Sequence, residues 1–272
     1  MEMSSIGMIE IIADALGTLK EEMVFVGGSV AELYVDVPGV SDVRPTLDVD
    51  CIVSIDIRSY LDYSKLENKL RALGFRDDLS SNAPVCRKNY QGIMVDFMPI
   101  IPEILGFTNR WYAAGYANKI KKALPNGTII NILPIEYYLA TKIEALNNRG
   151  GTDIRGSHDW EDIVFIMSNC AKLTERITQC SNYQLVIFLK DYYSQLLAND
   201  NISEIIYCAL PYHSQEESID YIFQRVSEIS KVKVETKLFQ TIYDEHKSKR
   251  GRFDKELSER QIERKAKREG GR

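Results

Sequence analysis

The chain has 272 residues, 44% hydrophobic and 27% charged, with a net charge of −5, the balance of an ordinary globular protein with room for one large core or two modest ones. Its apolar runs fall far short of a membrane span, and its first residues carry acids rather than a basic leader, so neither a spanning segment nor a signal peptide is expected. Five cysteines (Cys51, Cys86, Cys170, Cys180 and Cys208) show no CxxC spacing and no neighbouring histidine, which reads as reduced, buried thiols in a cytoplasmic protein and makes zinc improbable.

Residues 8–20 carry an apolar stripe at helical spacing, and residues 23–26, "MVFV", read as a short buried strand. The chain turns at Gly27 and Gly28 into a helical stretch, "SVAELYV", and then into a loop bounded by Pro38 and Pro45. "LDVDCIVSI" predicts a strand with acids on one face. "YSKLENKLRALGF" predicts a helix with Leu66, Leu70 and Leu73 on its apolar side and Gly74 as its stop. "APVCRKNY" and "IMVDFMPI" predict two strands joined by a hairpin turn at Gln91–Gly92.

The expected fold class is therefore α/β (α+β), with a mixed sheet over residues 1–103 and a mainly helical domain over 104–244. Five helical patterns in the second part support this, starting with "PIEYYLATKIEALNN" and "WEDIVFIMSNCA", and "LPNGTIINILP" predicts a short hairpin between the parts. Residues 245–272 hold 11 Lys or Arg against 6 Asp or Glu, a charge of +5 that leaves about −10 on the remainder. Such an arm has too few apolar positions to build a core. It suits nucleic acid or an acidic partner, and equally a solvated tail.

Asp48 and Asp50 are the residues in most need of a reason. Strand side chains alternate, so both point to one face with Val49 on the other. Two carboxylates that close repel, and burying them uncompensated is costly. A divalent cation resolves the conflict, and Mg²⁺ (or Mn²⁺) prefers hard oxygen ligands shared with substrate phosphates. Asp96, on the predicted strand "IMVDFMPI", adds a third acid in an equivalent setting. Three such acids could hold two ions about 4 Å apart for in-line phosphoryl or nucleotidyl displacement. Gly27 and Gly28 then let the backbone approach a phosphate, and Ser29 starts the following helix, where free N–H groups favour anions.

The stretches "VGGSVAEL", "RPTLDVDCIV" and "VDFMPI" resemble the nucleotidyltransferase superfamily, whose signature is Gly-Gly/Ser, then Asp-x-Asp, then a later third Asp. Downstream, "LATKIEALNNRGGTDIRGSHDWEDIVFI" is similar to the Lys-x-x-Ala, Arg-rich and Asp-x-x-Asp stretch of AbiEii-like nucleotidyltransferase toxins, the group that includes the MenT toxins. The likeness covers roughly residues 22–167, with four motifs in the right order. It implies a nucleotidyltransferase fold with Gly28 and Ser29 at the nucleotide phosphates and Asp48 and Asp50 as metal ligands. Arg44 and Thr46 would form an Arg-x-Thr lead-in, with Arg44 reaching a phosphate. Lys142 would contact phosphates from its helix, Asp159 would be the second-domain acid, and Asp96 would be the third acid of the site. The implied activity is Mg²⁺-dependent transfer of a nucleoside monophosphate from an NTP to RNA, most plausibly a tRNA 3′ end, by a toxin with a cognate antitoxin.

Several alternatives stand beside these assignments. Asp96 could be a buried acid satisfied by arginine or backbone N–H groups. Lys142 could be a snorkelling lysine, and Asp159, Glu161 and Asp162 could be first-turn acids favoured by the helix dipole, with Ser157 capping. His158 reads as a surface residue, and Tyr112 as packing or as a stacking platform. The acceptor could instead be a small molecule, as for aminoglycoside nucleotidyltransferases, or a protein. The chain could also be a non-catalytic nucleotide-binding module.

Overall fold

In a computed structural model, residues 3–36, 44–53, 56–81, 83–106, 108–149, 153–210 and 216–234 are described. Helix α1, Ser5–Leu16, places Met8, Ile9, Ile12 and Leu16 on one buried face, and Ser4 caps it by accepting from the Gly7 amide. Gly17 has a positive φ of 55° and ends it, and a 3₁₀ segment continues over Gly17–Glu22. Strand β1, Val24–Val26, is wholly buried. The helical stretch expected after Gly28 is a second 3₁₀ segment, Gly28–Tyr34. Its seven residues give little of the macrodipole that a long α-helix would direct at an anion.

Strand β2 is Asp48–Ile52, helix α2 is Tyr60–Ala72, and β3 is the two-residue Arg76–Asp77. Strands β4, Arg87–Tyr90, and β5, Ile93–Met98, form the expected hairpin. Gln91 and Gly92 at its tip both have positive φ (51° and 89°), as a two-residue hairpin turn of the primed type requires. Short helices α3, Pro102–Leu105, and α4, Tyr112–Ala117, lead to a second hairpin of β6, Ile120–Ala123, and β7, Ile129–Ile132. Helices α5 (Ile135–Arg149), α6 (His158–Asn169), α7 (Leu173–Gln179), α8 (Tyr183–Leu197), α9 (Ile202–Cys208) and α10 (Glu216–Ser230) follow among the described residues.

The seven strands make one mixed sheet in the order β3-β4-β5-β2-β1-β7-β6. Because β6 and β7 belong to it, the sheet runs past residue 103, the boundary expected from sequence, and one compact unit extends to Val232. Phe97 and Phe75 meet edge to face on the side of β5 that α2 covers, where the Tyr63 hydroxyl donates to the Phe97 carbonyl. On the other side of the same strands, Met94 and Met98 are only half-buried, as are Asp48 and Asp50. One face of β2–β5–β4 is thus core, and the opposite face is a partly open floor that carries the acids.

Cys51, Cys86 and Cys170 are buried free thiols as expected, whereas Cys180 is half-buried and Cys208 exposed, because α9 turns it outward. Among the described residues, no helix is long and apolar enough to cross a membrane. The basic arm at 245–272 lies outside the described residues.

Candidate active site

The floor of the site is set by strand register. Antiparallel pairing places Val26 opposite Asp50, so the turn at Gly27 begins where the Asp50 side chain rises from the sheet. Parallel pairing of β2 with β5 places Asp50 opposite Asp96, and antiparallel pairing of β5 with β4 places Asp96 opposite Arg87. With Asp48 two residues from Asp50, three carboxylates and one guanidinium share one face of three neighbouring strands.

Each carboxylate has a different environment. Asp48 Oδ1 accepts from the Thr46 hydroxyl at 3.0 Å, and its Oδ2 accepts from Arg87 Nη2 at 3.2 Å. Asp96 is engaged at both oxygens by Arg87, through Nε to Oδ1 and Nη2 to Oδ2, each at 2.8 Å. The structure therefore contains the arginine partner that was the alternative reading of Asp96. Asp50 has no hydrogen bond and no ion pair among the described residues. Burial, followed by the charges of Asp48 and Asp96, pushes its carboxyl up to about 7, against the opposing pull of Lys142 and Arg149.

Gly27 explains why this crowding requires glycine. A Cβ at Gly27 would lie 1.9 Å from Asp50 Oδ2 and 2.8 Å from its Cγ, and the residue has φ +75°. The backbone is pressed against the carboxylate, and no side chain fits between them. Gly28 is crowded on its other side, where a Cβ would meet Arg44 Nη2 at 2.8 Å and Asp162 Oδ2 at 3.2 Å. Ser29 is buried, and its hydroxyl turns back to the Val26 carbonyl at 3.4 Å.

The two glycines thus stand between the acidic floor and a second, mixed-charge cluster. Lys142 comes from the middle of α5, and its side chain is only 10% exposed. Its Nζ donates to Asp159 Oδ1 at 3.2 Å and lies 2.6 Å from Asp162 Oδ2, both in the first turns of α6. Burial works against this ammonium, but Asp162 and Asp159 outweigh it and hold its pKa above the ordinary lysine value. A snorkelling lysine would reach water, whereas this one is buried between two carboxylates. Arg149 pairs with Asp159 Oδ2 at 2.9 Å, and Arg44 with Glu161 at 3.3 Å and Asp162 at 3.6 Å. Three cations and three anions therefore alternate beside the glycine turn.

Of the ten residues given site roles from sequence, Arg44, Thr46, Asp48, Asp50, Asp96, Lys142 and Asp159 fall in these two clusters, Gly27 and Gly28 lie between them, and the Ser29 hydroxyl turns back to the Val26 carbonyl. Ser157 occupies the N-cap position of α6, but its side chain makes no capping bond. His158 is exposed and meets only Glu161 Oε2, at 3.0 Å. Tyr112 is half-buried, and its hydroxyl meets the Met98 sulfur at 3.7 Å beside the floor.

Sequence reasoning passed over Arg87 and Arg149 as individual site residues. Among the described residues, no three His, Cys, Asp or Glu side chains come together as a ready-made metal cluster, as expected when Asp96 is turned to Arg87. The donors that remain, Asp50 and the free lone pairs of Asp48, are hard oxygens with no histidine or thiolate among them. That set fits Mg²⁺ or Mn²⁺ sharing its sphere with substrate phosphates. No protein-family model and no curated protein matches the chain.

Proposed function

We propose that the chain is a metal-dependent nucleotidyltransferase of the nucleotidyltransferase fold, moving a nucleoside monophosphate from an NTP to an acceptor hydroxyl. Asp50 carries this reading: a half-buried carboxylate with no hydrogen-bond or ion-pair partner among the described residues, close to two other acids and against a glycine backbone, is the group a cation would stabilise most. In the reaction the acceptor oxygen attacks the α-phosphorus, the bond to the β-phosphate bridging oxygen breaks, and pyrophosphate leaves. A divalent ion held by Asp48 and Asp50 would supply the charge that favours the deprotonated acceptor and neutralises the phosphates.

The remaining roles belong to the protein. The Gly27–Gly28 turn lets the triphosphate approach the backbone. Lys142 donates to Asp159, pairs by charge with Asp162, and would turn a remaining proton to a phosphate oxygen. Arg44 and Arg149 extend that positive edge, and Asp159 fixes both Lys142 and Arg149. Tyr112, whose hydroxyl meets the Met98 sulfur beside the floor, is the proposed stacking platform for a base.

RNA, in particular a tRNA 3′ end, is the proposed acceptor, because the +5 arm at 245–272 suits phosphate contacts of no particular sequence. A toxin role with a cognate antitoxin follows from the resemblance to AbiEii-like proteins. The test is transfer of label from each of the four α-labelled NTPs to total tRNA with Mg²⁺, in wild type and in an Asp48→Ala/Asp50→Ala variant. Labelled tRNA with wild type alone supports the reading. Mg²⁺-dependent NTP binding without labelled tRNA would move small-molecule or protein acceptors ahead, and no NTP binding at all would point to a non-catalytic module.

A further inference from the structure

We propose that Arg87 is a built-in substitute for a second metal ion, so that the site takes one divalent cation, at Asp48 and Asp50. This rests on the metal-dependent reading above and refines it, because three acids on adjacent strands invite two ions.

The geometry distinguishes the three acids. Arg87 meets Asp96 as a planar fork, with both oxygens bonded at 2.8 Å, the bidentate arrangement that suits a guanidinium best. The same Nη2 reaches Asp48 Oδ2 at 3.2 Å, so the arginine bridges Asp96 and Asp48 and leaves Asp50 without a partner among the described residues. Three carboxylates and one guanidinium sum to −2, the charge that one divalent ion cancels.

Burial makes the arrangement hard to undo. The Asp96 side chain is 11% exposed and that of Arg87 24%. A metal ion arriving at Asp96 would have to expel the guanidinium and strand its charge, and breaking a buried pair is costly. A guanidinium cannot release its proton to make way. Register holds the pair in place, because Arg87 and Asp96 are directly opposite in the β4–β5 hairpin. Arg87 is thus a positioning residue that acts through Asp96 and Asp48.

The test is Mn²⁺ binding to the full chain, read from the free-ion EPR signal, with folding checked by circular dichroism. Wild type should bind one Mn²⁺ and Asp48→Asn/Asp50→Asn none. Arg87→Met frees Asp96 and should bind two, whereas Arg87→Lys, which keeps the positive charge, should stay at one. Arg87→Met/Asp96→Asn removes the pair without leaving a bare charge and should return to one, with affinity lowered by no more than about 100-fold for the lost Arg87 bond to Asp48.

Two ions on wild type would overturn the inference and leave the metal-dependent reading standing. No ion on wild type, or an ion that survives loss of Asp48 and Asp50, would overturn that reading itself. One ion on Arg87→Met, or two on the double variant, would also refute the role given to Arg87. Should Arg87→Met fail to fold, the double variant decides alone. A loss of Mn²⁺ affinity there well beyond the roughly 10- to 100-fold of an outer-shell partner would make Asp96 a ligand of the metal in wild type and overturn the inference. A loss within that range, the contribution of the Arg87 bond to Asp48, supports it.

Discussion

Gly27→Ala tests how far the turn and the carboxylate depend on each other. Gly27 has φ 75° and ψ −168°, a region that residues other than glycine reach only at a cost of about 1–3 kcal/mol. The added Cβ would stand 1.9 Å from Asp50 Oδ2, where nonbonded heavy atoms settle at about 3.5 Å. The carboxylate must therefore retreat by roughly 1.5 Å, and a misplacement of about 1 Å already costs a reaction on the order of 100-fold. The expected loss in stability is about 2–4 kcal/mol in urea unfolding, the sum of backbone strain and displaced packing. Transfer activity should fall by about 100-fold.

Asp50→Ala separates the two contributions. In that background the carboxylate clash is gone, leaving the strain and a tight 3.0 Å approach to the remaining Cβ, so Gly27→Ala should cost less by about 1 kcal/mol, a coupling large enough for a double-mutant cycle to resolve. Equal costs in the two backgrounds, or a Gly27→Ala protein with wild-type stability and activity, would refute the close approach of this backbone to Asp50.

A carboxyl raised from 3.8 to about 7 keeps a proton in the folded protein that the unfolded chain has released, so without metal stability should fall as pH rises between about 4 and 7. Asp50→Asn should therefore melt above wild type at pH 8 by about 1–2 kcal/mol, the ~4 kcal/mol of the full shift being reduced by screening at a half-buried group, and calorimetry should show the gap closing below pH 4. Lys142→Met removes the cation between Asp159 and Asp162 and leaves them Arg149 and Arg44, so urea unfolding should show a loss of about 3 kcal/mol, the low end for a broken buried pair. Lys88 pairs with Glu67 and Asp77 on the opposite face of β4, so Lys88→Met should lower the melting temperature while leaving Mg²⁺-dependent NTP binding within about twofold of wild type; a large loss of binding would place Lys88 in the site.

Much of this arrangement is legible in the sequence through local rules. Asp48 and Asp50 share a face because strands alternate, whatever the rest of the chain does. Arg87 is legible too, although it takes a count. A two-residue turn at Gln91–Gly92 pairs Tyr90 with Ile93, and each further step outward continues the register until Arg87 meets Asp96. The neighbouring lysine, Lys88, then falls on the core face, which distinguishes two adjacent cations that composition alone treats alike. What is not legible depends on long-range pairing. The contact of Gly27 with Asp50 requires β1 and β2 to be antiparallel neighbours, and β6–β7 joins the sheet only by pairing in parallel with β1 across about a hundred residues. No local pattern near residue 103 announces that the sheet continues.

Lys142 shows the same divide within one residue. Its place on an apolar helix raises the question of what a buried ammonium pairs with, and local spacing cannot answer it, because the partners sit on α6. Once they are known, the chemistry is constrained. A lysine held by two acids keeps its charge and its position, and so is ready for a phosphate without first being ordered. Asp50 is the opposite case, with neighbours that repel it and no partner of its own among the described residues. Of the two clusters, one is balanced within itself and the other carries an excess of acid. A cation at Asp50 and a phosphate at Lys142 would stand on either side of the Gly27–Gly28 turn, which Asp50 crowds at Gly27 and Arg44 and Asp162 crowd at Gly28.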